Sequence, residues 1–233
     1  MSNAINHHVS NKLHTSKQMS ESLITAAFLT LSGGFQDAYT YWCRGKVFAN
    51  AQTGNILLFG VNLSEGNFSG AMHYFLPVLA FIAGIASAEF VRMRERNFLH
   101  WRQVSVITEA VILAAVAFFP LSLNLPANAL ISFACGIQVE SFRKIRGNSA
   151  ATTMCIGNMR SGTQHLCQFF RDRDREHLYS AALYYGIILC FVFGAVIGNL
   201  AIDFWHEKAI LCSSALLLVV FACMFIDGEK EKQ

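Results

Sequence analysis

The sequence predicts an all-α, polytopic membrane helix bundle with about six full spans and two short broken or re-entrant helices, arranged as a 3+3 inverted internal repeat. Three observations predict it. First, 54% of the 233 residues are hydrophobic and only 14% are charged, a balance too apolar for an ordinary soluble domain. Second, the charges are clumped, and the apolar runs between them are of about the length, roughly 20 residues, that a helix needs to cross a bilayer. Third, a polar, glycine-broken stretch from Gly34 to Asn55 has an echo about a hundred residues later, from Gly136 to Asn158. Gly-Ile-Gln answers Gly-Phe-Gln, Arg146-Gly147 answers Arg44-Gly45, and Ile-Gly-Asn at 156–158 answers Thr-Gly-Asn at 53–55.

Residues 1–20 read as a cytoplasmic polar tail, carrying His7, His8, Lys12, His14 and Lys17 without the apolar core of a secretory signal. A single transmembrane domain follows over 21–226, with repeat halves at about 22–120 and 126–226, and 227–233 closes the chain as a second cytoplasmic polar tail. The first span covers about Ser22–Trp42 and ends in Gln36, Asp37, Tyr39, Thr40 and Tyr41, where Tyr41 and Trp42 suit a membrane interface. Phe48–Leu63 is helical from about Ala51, which at 1.5 Å per residue covers only ~20 Å, two-thirds of a membrane. Full spans follow at about Tyr74–Val91 and Val104–Phe119, where Pro120 stops the helix.

The second half opens with Ala127–Phe142, again ending in polar residues, Gln138, Glu140 and Ser141. Ala150–Phe170 is long enough to cross but carries Asn158, Arg160, Gln164 and His165, and an arginine at mid-helix costs ~2.5–3.5 kcal/mol on insertion scales. It therefore reads as the second broken segment. The aqueous loop 171–176 leads to spans at about Ala181–Ile202 and Ile210–Ile226.

Charge decides the orientation. With six spans, Arg44, Lys46 and Lys208 lie outside and the other fifteen of the eighteen lysines and arginines lie inside; if both short segments cross, only ten lie inside. The positive-inside bias favours six spans with both termini cytoplasmic, in a bacterial inner membrane. Three spans per half invert the second copy relative to the first, an architecture of many secondary transporters.

The sequences Gly34-Phe-Gln-Asp-Ala-Tyr39-Thr and Phe48-Ala-Asn-Ala-Gln-Thr-Gly-Asn55, with Thr152-Thr153 followed by Gly157, resemble the YoaK-like family of bacterial integral membrane proteins. The resemblance covers nearly the whole chain after the tail. It implies a multi-span membrane protein of about six helices, with a domain of unknown function. The second motif, with Glu140, Arg143, Lys144 and Arg160, is more charged than the family pattern.

The candidate substrate-binding residues are Gln36, Asp37, Asn50, Gln52, Thr53 and Asn55 in the first half and Gln138, Thr152, Thr153 and Asn158 in the second. Asp37 is an ionisable group at membrane depth, which marks function, pairing with Arg44, or capping of the broken segment. The Asn50–Asn55 cluster sits where free N–H groups at a helix start could face a polar or anionic solute, or where side chains satisfy unwound backbone. Glu140 is placed to pair with Arg143 and Lys144. Glu109 reads as structural, and as a proton-relay candidate if it faces the interior.

The sequence excludes several activities. No nucleophile elbow, phosphate loop, dinucleotide fingerprint or His-Glu-x-x-His pattern occurs, and the seven cysteines show no Cys-x-x-Cys spacing. No enzyme activity, cofactor or metal is expected. The basic loops lack interleaved aromatics, so anionic lipid headgroups rather than nucleic acid are their expected partners. The expected function is a transporter or channel-like permease for a small polar or anionic solute, with a membrane scaffold or accessory subunit as the alternative.

Overall fold

The computed structural model describes residues 23–94, 98–145, 148 and 150–230. The N-terminal tail and the Arg146-Gly147 echo lie outside the described residues. Within them the chain forms eight α-helices and two 3-10 turns and no strand. We number the helices α1 (Leu23–Cys43), α2 (Gln52–Ser64), α3 (Phe68–Arg94), α4 (Phe98–Val116), α5 (Asn124–Ser141), α6 (Cys155–Asp172), α7 (Arg175–Trp205) and α8 (Ile210–Lys230). α2 and α6 fall in the two segments predicted to be broken; α2 is short at 13 residues, but α6 is a continuous helix of 18 residues, as long as α5. α3 and α7 start about a turn and a half before the predicted spans, and α8 runs on through Lys230 into the predicted tail.

Local chemistry sets the boundaries. α4 ends ahead of Pro120, which is extended at φ −65° and ψ 159°. The free carbonyls at that end are taken by a side chain from another helix: Arg44, fully buried, donates to Val116 O at 3.1 Å, Phe119 O at 3.0 Å and Pro120 O at 3.3 Å. A guanidinium there also opposes the negative end of the helix dipole. Between α6 and α7 the chain turns on Arg173, which is left-handed at φ 59°, and Asp174 caps α7 by accepting the Glu176 N–H at 2.9 Å.

α1 packs along α7 and α8, and α5 packs along α3 and α4; α2 lies on α3, α6 on α7, and α4 on α8. Exchanging α1–α4 with α5–α8 returns the same pairings. The close crossings follow the same exchange. Gly34 of α1 lies against the Phe191 carbonyl of α7, and Gly194 of α7 against the Leu31 carbonyl of α1. Gly136 of α5 lies against Phe81 O of α3, and Gly84 of α3 against Phe133 O of α5.

The interior mixes apolar side chains such as Phe35, Leu113, Ile131 and Leu217 with buried Gln36, Glu109, Asn128 and Gln138. The surface carries Phe68, Ile82, Ile156, Phe193, Ile197 and Phe204, each more than half exposed. Polar groups inside and large apolar groups outside reverse the usual order of a water-soluble fold.

Of the six predicted full spans, the α3 segment and the continuous stretch 175–224, which holds α7 and most of α8, are long and apolar enough to cross a membrane by length and composition. α1, α4 and α5 carry buried polar groups: Thr30, Gln36 and Asp37 on α1, Arg102 and Glu109 on α4, Asn128, Gln138 and Glu140 on α5.

Candidate functional site

The chain leaves α1 through a turn at Gly45 and Lys46, with φ 88° and 65°, and the Gly45 carbonyl meets the His73 ring of α3 at 2.8 Å. The end of α1 and the start of α3 thus share one end of the bundle. The chain then runs back beside α1. Asn50 donates its Nδ2 to Gly33 O at 3.1 Å and its backbone N–H to Asp37 Oδ1 at 2.7 Å. α2 therefore begins near the middle of α1. It lies antiparallel to α3, with Phe59 stacked on Phe75 at 4.7 Å, and returns to the end it came from.

The second broken segment does the same from the other end. Beyond α5, Ile145 is buried with Ala26, near the start of α1. Thr152 Oγ1 then lies 2.9 Å from Gln138 Nε2, and the Thr153 methyl presses on Gly33, where an added Cβ would come within 2.8 Å of it. α6 runs antiparallel to α7, joined by Thr163–Tyr185 at 2.7 Å and His165–His177 at 3.1 Å. The starts of α2 and α6 meet at Gly33.

Each segment is held by an asparagine that reaches seven residues back. Asn55 donates Nδ2 to Phe48 O at 2.7 Å and accepts the Phe48 N–H at 3.0 Å, while Asn158 donates Nδ2 to Ala151 O at 2.6 Å. These bonds satisfy backbone that helix geometry leaves free.

Where the two starts meet lies a cavity of about 680 Å³. Asp37, Asn50, Gln52 and Thr53 line it from the first half, and Thr153 and Gly157 from the second. Aromatic side chains, Tyr41, Trp42, Phe48, Phe81 and Phe191, form much of the rest, and no lysine or arginine is among the lining residues. Asn50 Oδ1 and Thr153 Oγ1 are buried there without a hydrogen-bond partner. Neither α2 nor α6 has a side chain capping its first turn; in α2 the Gln52 and Gly54 N–H groups are taken instead by Asn50 O and Ala51 O, at 2.8 and 2.9 Å.

Of the predicted site residues, Asp37, Asn50, Gln52, Thr53 and Thr153 reach this cavity. Asp37 does not pair with Arg44; it caps the unwound segment through Asn50. Asn55 and Asn158 hold backbone. Gln36 and Gln138 turn instead toward Glu109, which is 1% exposed on α4, and Thr152 meets Gln138. Gln36 Nε2 donates to Glu109 Oε1 at 2.9 Å and to Ser32 Oγ at 2.9 Å, and Cys135 Sγ donates to Gln36 Oε1 at 2.8 Å. The signal for Glu109 was a lone carboxylate inside an apolar run; nothing along the chain paired it with the two glutamines. Asn199 of α7, on the cavity wall, gave no signal in the sequence.

Glu140 pairs with Arg143, and Glu89 with Arg92 and Arg143, the local ion pairing that the spacing predicts for Glu140. Arg102, placed by the sequence in a cytoplasmic loop, is instead buried on α4 and donates to Ser141 O at 3.1 Å. Among the described residues no group of histidine, cysteine, aspartate and glutamate side chains could hold a metal ion.

No solved structure matches the chain. It is 27% identical over 192 residues to the UPF0700 transmembrane protein YoaK of Bacillus subtilis (strain 168), a match covering 77% of this chain and 84% of that protein. Residues 25–223 match the family described as Protein of unknown function (DUF1275). The match spans the cavity, both broken segments and Glu109, and the chain belongs to the DUF1275 family.

Proposed function

We propose that the chain is a multi-pass bacterial inner-membrane permease, a transporter or channel-like protein, that takes a small polar solute into the cavity between the starts of α2 and α6. The observation that carries this reading is the convergence of two interrupted segments, from opposite ends of the bundle, on one cavity where Asn50 Oδ1 and Thr153 Oγ1 lack partners. A buried polar atom without a partner costs about 1–3 kcal/mol; both atoms are closed off from the cavity in this conformation, so a solute that bonds to them recovers that cost once the wall opens. The Thr53 hydroxyl on the wall offers a donor, Asn50 Oδ1 offers an acceptor, and the aromatic walls suit an apolar body. With Asp37 on the wall and no basic lining residue, an uncharged or zwitterionic solute fits better than a simple anion.

In this reading α1, α3, α4, α5, α7 and α8 cross the bilayer, α2 and α6 re-enter, and the halves form the 3+3 inverted repeat. The exchange of packing partners between the halves supports it, as do the apolar surface and the relative named as a transmembrane protein. The lysine and arginine bias puts both termini in the cytoplasm. Exposed Arg94, Lys144 and Arg171 are then placed for anionic headgroups.

The test is thiol accessibility. Thr53→Cys and Thr153→Cys, each in a background without the native cysteines, are labelled with a membrane-impermeant maleimide in right-side-out and inverted vesicles. Labelling of both positions, changed by a panel of small neutral and zwitterionic solutes, is expected. If both stay unreactive from either side, the permease reading fails. The scaffold reading then gains, and it has its own support in Asp37, Asn55 and Asn158, whose bonds hold backbone.

A further inference from the structure

We propose that Glu109 is a proton-binding site whose occupancy is read by the Gln138 side-chain amide and passed to the second broken segment at Thr152. The proposal stands whether or not the cavity carries a solute, because it rests on the polar core of the bundle.

Glu109 is a carboxyl group enclosed by uncharged partners from both halves of the chain. From α1 it receives Gln36, and from α5 Gln138, the residues that occupy the same place in the two Gly-x-Gln motifs. Around this centre α1 also supplies Ser32, bonded to Ser213 of α8 at 2.7 Å. Ser214 of α8 donates to Ala110 O at 2.8 Å. The titratable groups nearby are the Cys135 thiol of α5, which donates to Gln36, and Asp37 of α1, which is turned away to the Asn50 N–H. Arg102, two turns away on α4, donates to Ser141 O. Among the described residues no lysine, arginine or histidine pairs with Glu109.

The hydrogen-bond inventory makes the two glutamines unequal. An ionised carboxylate only accepts, whereas a protonated one has an O–H to donate. Gln36 is fixed, because its Oε1 receives the Cys135 thiol and its Nε2 must therefore face Ser32 and Glu109. Gln138 is not fixed. One end of its amide lies 2.8 and 3.1 Å from Glu109 Oε1 and Oε2, and the other end lies 2.9 Å from Thr152 Oγ1. Glu109 and the Thr152 hydroxyl can each change between donor and acceptor, so the amide can sit in either sense, with Leu29 O, an acceptor 3.3 Å from the Thr152 end, favouring Nε2 there.

With Glu109 ionised, Gln138 Nε2 donates to the carboxylate and Oε1 accepts from the Thr152 hydroxyl. When a proton from water binds a Glu109 oxygen, the new O–H donates to Gln138 Oε1. The amide turns over, and Nε2 donates to Thr152 Oγ1 at 2.9 Å and to Leu29 O at 3.3 Å. Each state satisfies the carboxyl group and bonds both ends of the amide; the ionised state sets Oε1 against Leu29 O, and the protonated state relieves that contact. The difference emerges at Thr152, whose hydroxyl changes from donor to acceptor. Thr152 precedes Thr153, which lines the cavity and presses on Gly33, so the switch ends where the two broken segments meet.

Infrared difference spectroscopy of the full chain in lipid nanodiscs, between about pH 4 and about pH 10, tests the proposal. The expected result is a carbonyl-stretch band of a protonated carboxylic acid that appears as the pH falls. It moves when glutamate, but not aspartate, is labelled with carbon-13, and it is lost in Glu109→Gln while surviving in Asp37→Asn and Glu140→Gln. Gln138→Met and Thr152→Val should each displace its midpoint by about half a pH unit or more. If Glu109→Gln does not fold, the labelled wild-type chain with Glu140→Gln as control decides. Absence of a titrating glutamate band, or its survival in Glu109→Gln, overturns the proton site. A midpoint unmoved in both Gln138→Met and Thr152→Val overturns the relay.

Discussion

Gly34→Ala puts the close crossing of α1 and α7 to a quantitative test. The added methyl carbon would lie 2.0 Å from the Phe191 carbonyl oxygen, 2.9 Å from its carbon and 3.0 Å from the Ala195 nitrogen. A carbon approaches a carbonyl oxygen to about 3.3 Å at closest, and these atoms are backbone, which cannot rotate aside. The helices must therefore part by roughly 1 Å, a gap that forfeits about a quarter to a half of each dispersion contact along the seam. The cost falls at the upper end of the overpacking range, about 3 kcal/mol. Gly186→Ala, on α7 with nothing within 4 Å of its added methyl, is the control and should gain about 0.5–1 kcal/mol from helix propensity. At ~2–4 °C per kcal/mol for a chain of this size, the two variants should unfold at least roughly 6 °C apart when detergent-solubilised protein is melted and followed by circular dichroism. Unfolding of Gly34→Ala within a degree or so of Gly186→Ala would refute the close approach.

Arg44→Met should destabilise the chain by about 3 kcal/mol or more, because it uncaps three carbonyls at the end of α4 and the Tyr39 hydroxyl that the guanidinium also meets at 3.0 Å; equilibrium denaturant unfolding measures it, and a loss under about 1 kcal/mol contradicts the cap. Asn55→Ala should cost about 2 kcal/mol and Asn158→Ala about 1 kcal/mol, since the first loses two bonds to the Phe48 backbone and the second one bond to Ala151. Hydrogen exchange at the Phe48 N–H should accelerate in Asn55→Ala alone. Thr153→Ala removes a hydroxyl that has no partner, so melting should shift by less than about 1 kcal/mol in stability while solute protection of Thr53→Cys from maleimide disappears; intact protection would detach Thr153 from the site.

Much of this architecture was legible along the chain because bilayer-scale helices and their interruptions are written in local composition. The run lengths, Pro120 and the polar clusters located all eight helices, and the Gly-x-Gln and Gly-Asn echoes marked both broken segments. The sequence also marked Gln36, Asp37, Gln138 and Glu109 as polar residues beside or within apolar runs, and the structure buries all four. Which partners they find was decided by the tertiary structure alone. Gln36 and Asp37 are consecutive on α1, about 100° apart around its axis, so that one turns to Glu109 and the other to Asn50. That rotation is set by how α1 seats Gly34 on α7, and the corresponding seat of Gly136 on α3 brings Gln138 to the same carboxyl group. A buried polar group must be satisfied wherever it lies, but the group that satisfies it is chosen by helix packing, which no stretch of sequence contains by itself.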